Sequence, residues 1–130
     1  MLPQHQMAVD KREQARVLIV EDEPMIALTL QDLLVDAGFE IAGVAGKLEK
    51  AVALIESGVC DAAIIDANLA GVSASPIASA LAARGLPFIV LSGYSPDQLQ
   101  GAFPGALFFF QKPCRPVQLI RALNNIVVKR

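Results

Sequence analysis

Short, unbroken apolar runs recur along this chain, and they constrain its fold more than any other feature. Val17-Leu18-Ile19-Val20 is the first, and residues 41–45, 62–65, 88–91 and 107–110 carry the others. Each is too short for a helix and lacks the polar alternation of a half-exposed strand. Most are rich in β-branched or aromatic side chains. Such runs fit strands buried on both faces.

Helical spacing fills the gaps. Ile26, Leu30, Leu33 and Ala37 fall on one helical face, with Pro24 in the first turn and Gly38 just past the end. Leu48, Val52 and Ile55 repeat the pattern up to Gly58, and Ile77, Ala80, Leu81 and Ala83 run from Pro76 to Gly85. Residues 117–128, with Pro116 near their start, form the last helix. Residues 95–100 form a weaker fourth one, hemmed in by Gly101, Pro104 and Gly105. Proline and glycine cost a helix about 3 and 1 kcal/mol respectively. The stretch from Ser95 to Gly105 is therefore expected to be short, irregular or mobile, and part of a partner surface. Strand and helix alternate five times. That order predicts an α/β fold of (βα)5 type: a five-stranded parallel sheet, doubly wound, with right-handed crossovers.

Composition narrows the function. The chain has 130 residues, 54% hydrophobic and 18% charged, which suits one domain and excludes disorder. Residues 1–15 read as a polar N-terminal tail and 16–130 as the domain. No apolar run approaches the ~18 residues of a membrane span, and the start has no signal-peptide core. No membrane role and a cytoplasmic location are expected. The single histidine, His5, lies in the tail, so imidazole-based triads lack their base unless the tail folds inward, and Cys₂His₂ zinc sites are excluded by count. A net charge of -2 without a basic stripe argues against direct nucleic-acid binding. Cys60 and Cys114 form no CxxC and read as free, buried thiols of a reducing compartment. No glycine-rich loop follows the first strand, which disfavours dinucleotide binding.

Open α/β sheets bind ligands at the carboxyl ends of their strands. Glu21, Asp22 and Glu23 follow the first strand, and Asp66 follows the third, with Asn68 two residues on. Ser92 and Gly93 follow the fourth, and Lys112-Pro113 the fifth. Alone, each reads as an ordinary solvated strand-end residue. Together they make one chemistry. Clustered carboxylates attract a hard divalent cation such as Mg²⁺. A carboxylate beside it can attack phosphorus and form an acyl phosphate. An ammonium and a hydroxyl can then bond the phosphoryl oxygens.

The segments Val17-Leu18-Ile19-Val20-Glu21-Asp22-Glu23-Pro24, Ile64-Ile65-Asp66-Ala67-Asn68-Leu69, Val90-Leu91-Ser92-Gly93-Tyr94 and Gln111-Lys112-Pro113 resemble the receiver domain of two-component response regulators. The resemblance runs from about residue 16 to 128. It implies a flavodoxin-like sheet of strand order 2-1-3-4-5, with Asp66 as phosphoacceptor. It implies Glu21 and Asp22 as the acidic pair for Mg²⁺, completed by Asp66 and the Asn68 carbonyl. Ser92 would bond a phosphoryl oxygen, Lys112 would pair with the phosphoryl group, and the Lys112-Pro113 bond would be cis. Ser92 and Phe109 match the switch positions. The Pro87-Phe88 to Tyr94 stretch also looks like a stand-alone subgroup with a Phe-Ala-Thr-Gly-Tyr-type motif, although Leu91 and Ser92 replace its Ala and Thr.

Several departures stand out. Glu21 replaces the commoner Asp and reaches one methylene further. Cys114 stands where an aromatic is usual, and Phe109 has no hydroxyl. Tyr94 is bulky where many receivers are small or charged; with Asn68 it flanks the phosphoryl path, where it either modulates attack by water on the acyl phosphate or merely packs. The resemblance implies a single-domain response regulator, catalysing only its own phosphorylation and dephosphorylation. Its partners would be a histidine kinase or histidine phosphotransfer protein and a downstream protein bound at the face of the fourth helix, fifth strand and fifth helix. A phosphate-sink role is the other output expected. The alternatives are a degenerate receiver acting as a constitutive interaction module and a Mg²⁺-dependent aspartyl phosphatase. Asn68 is a poor general acid for the second.

Overall fold

A computed structural model of the protein describes residues 15–99 and 101–128. The tail expected at residues 1–15 lies outside them, except for Ala15, which is buried against the core. In chain order the elements are β1 (Arg16–Val20), α1 (Pro24–Asp36), β2 (Glu40–Ala45), α2 (Leu48–Glu56), β3 (Ala62–Asp66), β4 (Asn68–Leu69), β5 (Val72–Ser73), α3 (Ser75–Ala83), β6 (Phe88–Ser92), a 3₁₀ turn (Pro96–Leu99), β7 (Phe108–Gln111) and α4 (Pro116–Val128). The main sheet is five-stranded in the order β2-β1-β3-β6-β7, and every pairing in it is parallel. With the small β4-β5 hairpin set aside, this is the order 2-1-3-4-5.

The apolar runs become strands because alternate side chains enter two separate cores. Leu18, Val20, Ala63, Ile65, Phe88 and Val90 face one layer with Ala51 and Ile55 of α2 and Ile77, Ala78 and Leu81 of α3. Val17, Ile19, Ala62, Ile64, Ile89 and Leu91 face the other, against Leu30 and Leu34 of α1 and Leu119, Leu123 and Ile126 of α4. Double burial holds for β3 and β6, whose residues are all buried. The outer strands β2 and β7 are only half-buried, because each lies at an edge of the sheet. The buried stripe of α1 is Ala27, Leu30 and Leu34, one position round from the face expected at Ile26, Leu30 and Leu33.

The expected fourth helix is corrected to a single 3₁₀ turn. It has a start signal: the Ser95 N–H donates to Gln98 Oε1 at 2.8 Å, and the Gln98 N–H reaches back towards Ser95 Oγ at 3.4 Å. Propagation fails two residues later. Gly101 has φ +81° and Gly105 φ +95°, both outside the right-handed helical region. The segment is nevertheless pinned, because Phe103 is 4% exposed and packs in the core that contains Phe88.

The β4-β5 hairpin is not foreshadowed by the hydrophobic pattern. Ala70 (φ +52°) and Gly71 (φ +90°) turn it, as a two-residue hairpin with the right-handed strand twist requires. Asn68 Oδ1 accepts from the Gly71 N–H at 2.7 Å and closes the turn. No described helix is long and apolar enough to cross a membrane.

Candidate functional site

Parallel strands all end at the same edge, so their last residues converge. The Asp66 N-terminal neighbours are locked between β1 and β6, and its own residue pairs with Leu91. Its carboxyl is held there: the residue is 8% exposed, which corrects the solvated strand end read from sequence. Asp66 Oδ1 accepts from the Asn68 N–H at 3.2 Å, and Oδ2 accepts from the Lys112 ammonium at 3.0 Å.

Lys112 leaves the end of β7 and is anchored by its own N–H, which donates to the Ser92 carbonyl at 2.7 Å. The following peptide bond to Pro113 is cis, as the resemblance implies. The ammonium also meets Glu21 Oε1 at 3.2 Å, so one cation bridges two carboxylates that sequence places 45 residues apart (21 and 66). Glu21 is 3% exposed, and its second oxygen accepts from the Glu23 N–H at 3.1 Å. Burial works against the Lys112 charge, but the hydrogen bonds and charges of Asp66 and then Glu21 outweigh it, and its pKa rises. Burial pushes the Glu21 carboxyl up. The Glu23 amide opposes this, the Asp66 charge reinforces it, and Lys112 opposes it again.

Glu21, Asp22 and Asp66 each bring a carboxylate oxygen within 4.8 Å of the others. This all-oxygen donor set fits a hard divalent cation of the Mg²⁺ kind. Asp22 is half-buried and also lines a cleft of about 620 Å³ beside the cluster, with Lys47, Leu48, Leu69 and Val72 among its walls. Gly46, in the β2-α2 loop, lies against the acidic pair: a Cβ there would meet the Asp22 Cα at 3.4 Å, an ordinary contact.

The remaining residues flank this centre. Ser92 is buried, and its Oγ accepts from the Tyr94 N–H at 2.9 Å. The Tyr94 ring itself is exposed. The Asn68 side chain is committed to the hairpin turn, while its N–H serves Asp66. Phe109 is half-buried against the α2-α3 layer, and its neighbours Phe108 and Phe110 face the α1-α4 layer. Cys60 and Cys114 are free thiols, the first buried and the second only half-buried. The supporting backbone donors, the N–H groups of Glu23 and Tyr94, were invisible in the sequence because a main-chain donor has no side-chain signature.

Comparison with known proteins follows the same geometry. Residues 17–124 match the response regulator receiver domain family. The transcriptional regulatory protein PdtaR of Mycobacterium tuberculosis is 34% identical over 115 residues, 86% of this chain and 56% of PdtaR. The phyllosphere-induced regulator PhyR of Methylorubrum extorquens is 30% identical over 112 residues, 84% of this chain and 42% of PhyR. The chain thus spans about half the length of these curated relatives. Among solved structures, SdrG from Sphingomonas melonis Fr1 is 37% identical with a TM-score of 0.72, covering 87% of this chain and 98% of SdrG. With sheet order, strand-end carboxylates, lysine and family match in agreement, the chain belongs to the response regulator receiver domain family.

Proposed function

We propose that Asp66 accepts a phosphoryl group and that the receiver passes this event on by changing which proteins it binds. The observation that carries the reading is the Lys112 ammonium 3.0 Å from a buried Asp66 carboxylate, within one cluster of three acidic side chains. Asp22 and Asp66, the Asn68 carbonyl and the nearby charge of Glu21 would hold Mg²⁺. Bound there, the cation would supply positive charge against the phosphoryl oxygens. An Asp66 oxygen forms the new O–P bond as the P–N bond of a donor phosphohistidine breaks, and the imidazole leaves. Lys112 then follows the charge from the carboxylate to the phosphoryl oxygens. Ser92 donates its hydroxyl proton to one of them, while its lone pair still holds the Tyr94 N–H.

The donor would be a histidine kinase or phosphotransfer protein, and the chain would catalyse only its own phosphorylation and dephosphorylation. The downstream partner would meet the β7-α4 face. There Phe108 and Phe110 stack with centroids 6.0 Å apart, over a groove of about 530 Å³ with Gln118 and Arg121 in its wall. A phosphate-sink role uses the same site without that partner.

Incubation with acetyl phosphate and Mg²⁺ should add one phosphoryl group, read by intact mass, and Asp66→Asn should add none. No addition to the unmodified protein, or addition persisting in Asp66→Asn, overturns the assignment. Omitting Mg²⁺ should slow the addition by about a hundredfold or more, in line with the several kcal/mol a cation contributes to phosphoryl transfer.

A further inference from the structure

The main sheet has two edges, and they are guarded differently. β2 opens on the exposed Glu40, and its register against β1 slips by one residue between Ile41 and Gly43. Charges and irregular pairing of this kind keep an edge from joining another chain. β7 has neither. It reads Phe108-Phe109-Phe110-Gln111, with no charge, no proline and no slip against β6. On its other side no strand pairs with it among the described residues.

Charge marks the same place. All 13 acidic residues precede residue 98, whereas residues 98–130 carry Lys112, Arg115, Arg121, Lys129 and Arg130 and no carboxylate side chain. The net charge of -2 therefore hides a basic C-terminal quarter. Lys112 is taken up by Asp66 and Glu21. Arg115 and Arg121 are exposed and meet no carboxylate among the described residues. Arg121 lines the groove of Phe108 and Phe110, together with Gln118 and Asn125.

These two features select the occupant. A second copy meeting this edge across a twofold axis would bring like face to like face. It would set arginine against arginine with no acidic residue to offset them. An acidic segment is attracted there instead, and an unpaired strand edge fits an extended one. We propose that the outer edge of β7 is a strand-addition site for an extended partner segment that carries both acidic and apolar side chains. The partner backbone pairs with β7, its carboxylates meet Arg121 and Arg115, and its apolar side chains cover Phe108 and Phe110. This deepens the reading of the β7-α4 face as the partner surface and rests on it, but not on Asp66 as phosphoacceptor.

¹H-¹⁵N NMR spectra of the full, unphosphorylated chain read the site directly. The probe is a capped peptide of two Glu-Glu-Val-Val repeats, so that each face of the extended strand carries both residue types. The control has Lys for every Glu. The acidic peptide should shift the amides of residues 108–111 and 118–125 and bind about tenfold or more tightly than the control. Raising salt from about 50 to 300 mM should weaken it several-fold. Arg121→Glu, at an exposed position, should weaken it about tenfold with the thermal midpoint unchanged. N-methylating every peptide amide, which keeps the side chains and removes the backbone donors, should abolish binding. Equal affinity for the two peptides, or retained binding after N-methylation, overturns the proposal and leaves the partner face standing. Shifts confined to another face, such as α1, overturn both. Shifts of residues 108–111 on concentrating the protein alone would place a second copy on the edge and also overturn the proposal.

Discussion

Glu21 carries a cost that its surroundings only partly offset. Burial favours its neutral form, so its pKa in the folded protein lies above the ordinary 4.5. Above pH 4.5 the folded state therefore binds this proton more tightly than the unfolded chain. The stability from the neutral carboxyl is complete below that pH and is lost as pH rises through the folded value. Lys112 does not blur the window. Its folded pKa is raised above 10.5, so its contribution is present throughout and fades only at more alkaline pH. Glu21→Gln is neutral at every pH. Its urea midpoint should improve relative to the unmodified protein as pH climbs from 4.5 towards 7. A constant difference across that range would mean the site does not perturb Glu21. A second residue stores backbone strain. Ala70 sits at φ +52°, where a Cβ costs about 1–2 kcal/mol. Ala70→Gly should therefore stabilise the protein by about 0.5–1 kcal/mol in equilibrium unfolding, after the extra freedom of glycine in the unfolded chain is subtracted.

Among the elements, the stretch from the end of β6 to the start of β7 stands apart. The other sheet crossovers are made by helices of nine residues or more. This one has a single 3₁₀ turn, two glycines with positive φ and, among its described residues, one deeply buried side chain, Phe103. Phe103→Ala should cost about 3–5 kcal/mol in a denaturant melt, the usual price of emptying a buried phenyl site. In the unmodified protein, amides between Gly93 and Leu107 should exchange with solvent faster than those in the middle of α1, because few of the described ones have helical or ladder partners. Exchange as slow as in α1 would show a stiffness that the backbone does not suggest. The sequence announced this element by its prolines and glycines. It did not announce Phe103, since an aromatic in a turn-rich stretch has no periodic partner to mark it as core.

For the molecule as a whole, the fold was legible because its physics is repetitive. Doubly buried strands leave unbroken apolar runs such as 17–20 and 62–65, and helices that cover one face leave a period near 3.6. The site was legible through residue type and place: Asp22, Asp66, Ser92 and Lys112 each stand at the carboxyl end of a strand. Partnerships were not. Nothing in the sequence links Glu21 to Lys112, a contact made only when the carboxyl ends of β1 and β7 come to the same end of the sheet, nor Asn68 Oδ1 to the Gly71 amide. The β4-β5 hairpin was missed because two-residue strands have no period and Ala70 adopts a conformation alanine rarely takes.

The two-sided packing of the sheet has one more consequence. Its strands form a bulkhead, and the apolar compartments on either side are separate clusters. Phe109 opens into the compartment that houses Phe103, α2 and α3, whereas Phe108 and Phe110 open into that of α1 and α4. Consecutive phenyl rings on one short strand thus address opposite sides of the domain. A disturbance that turns Phe109 alone is delivered to the irregular crossover and its neighbours, and one that slides β7 as a unit is broadcast to both.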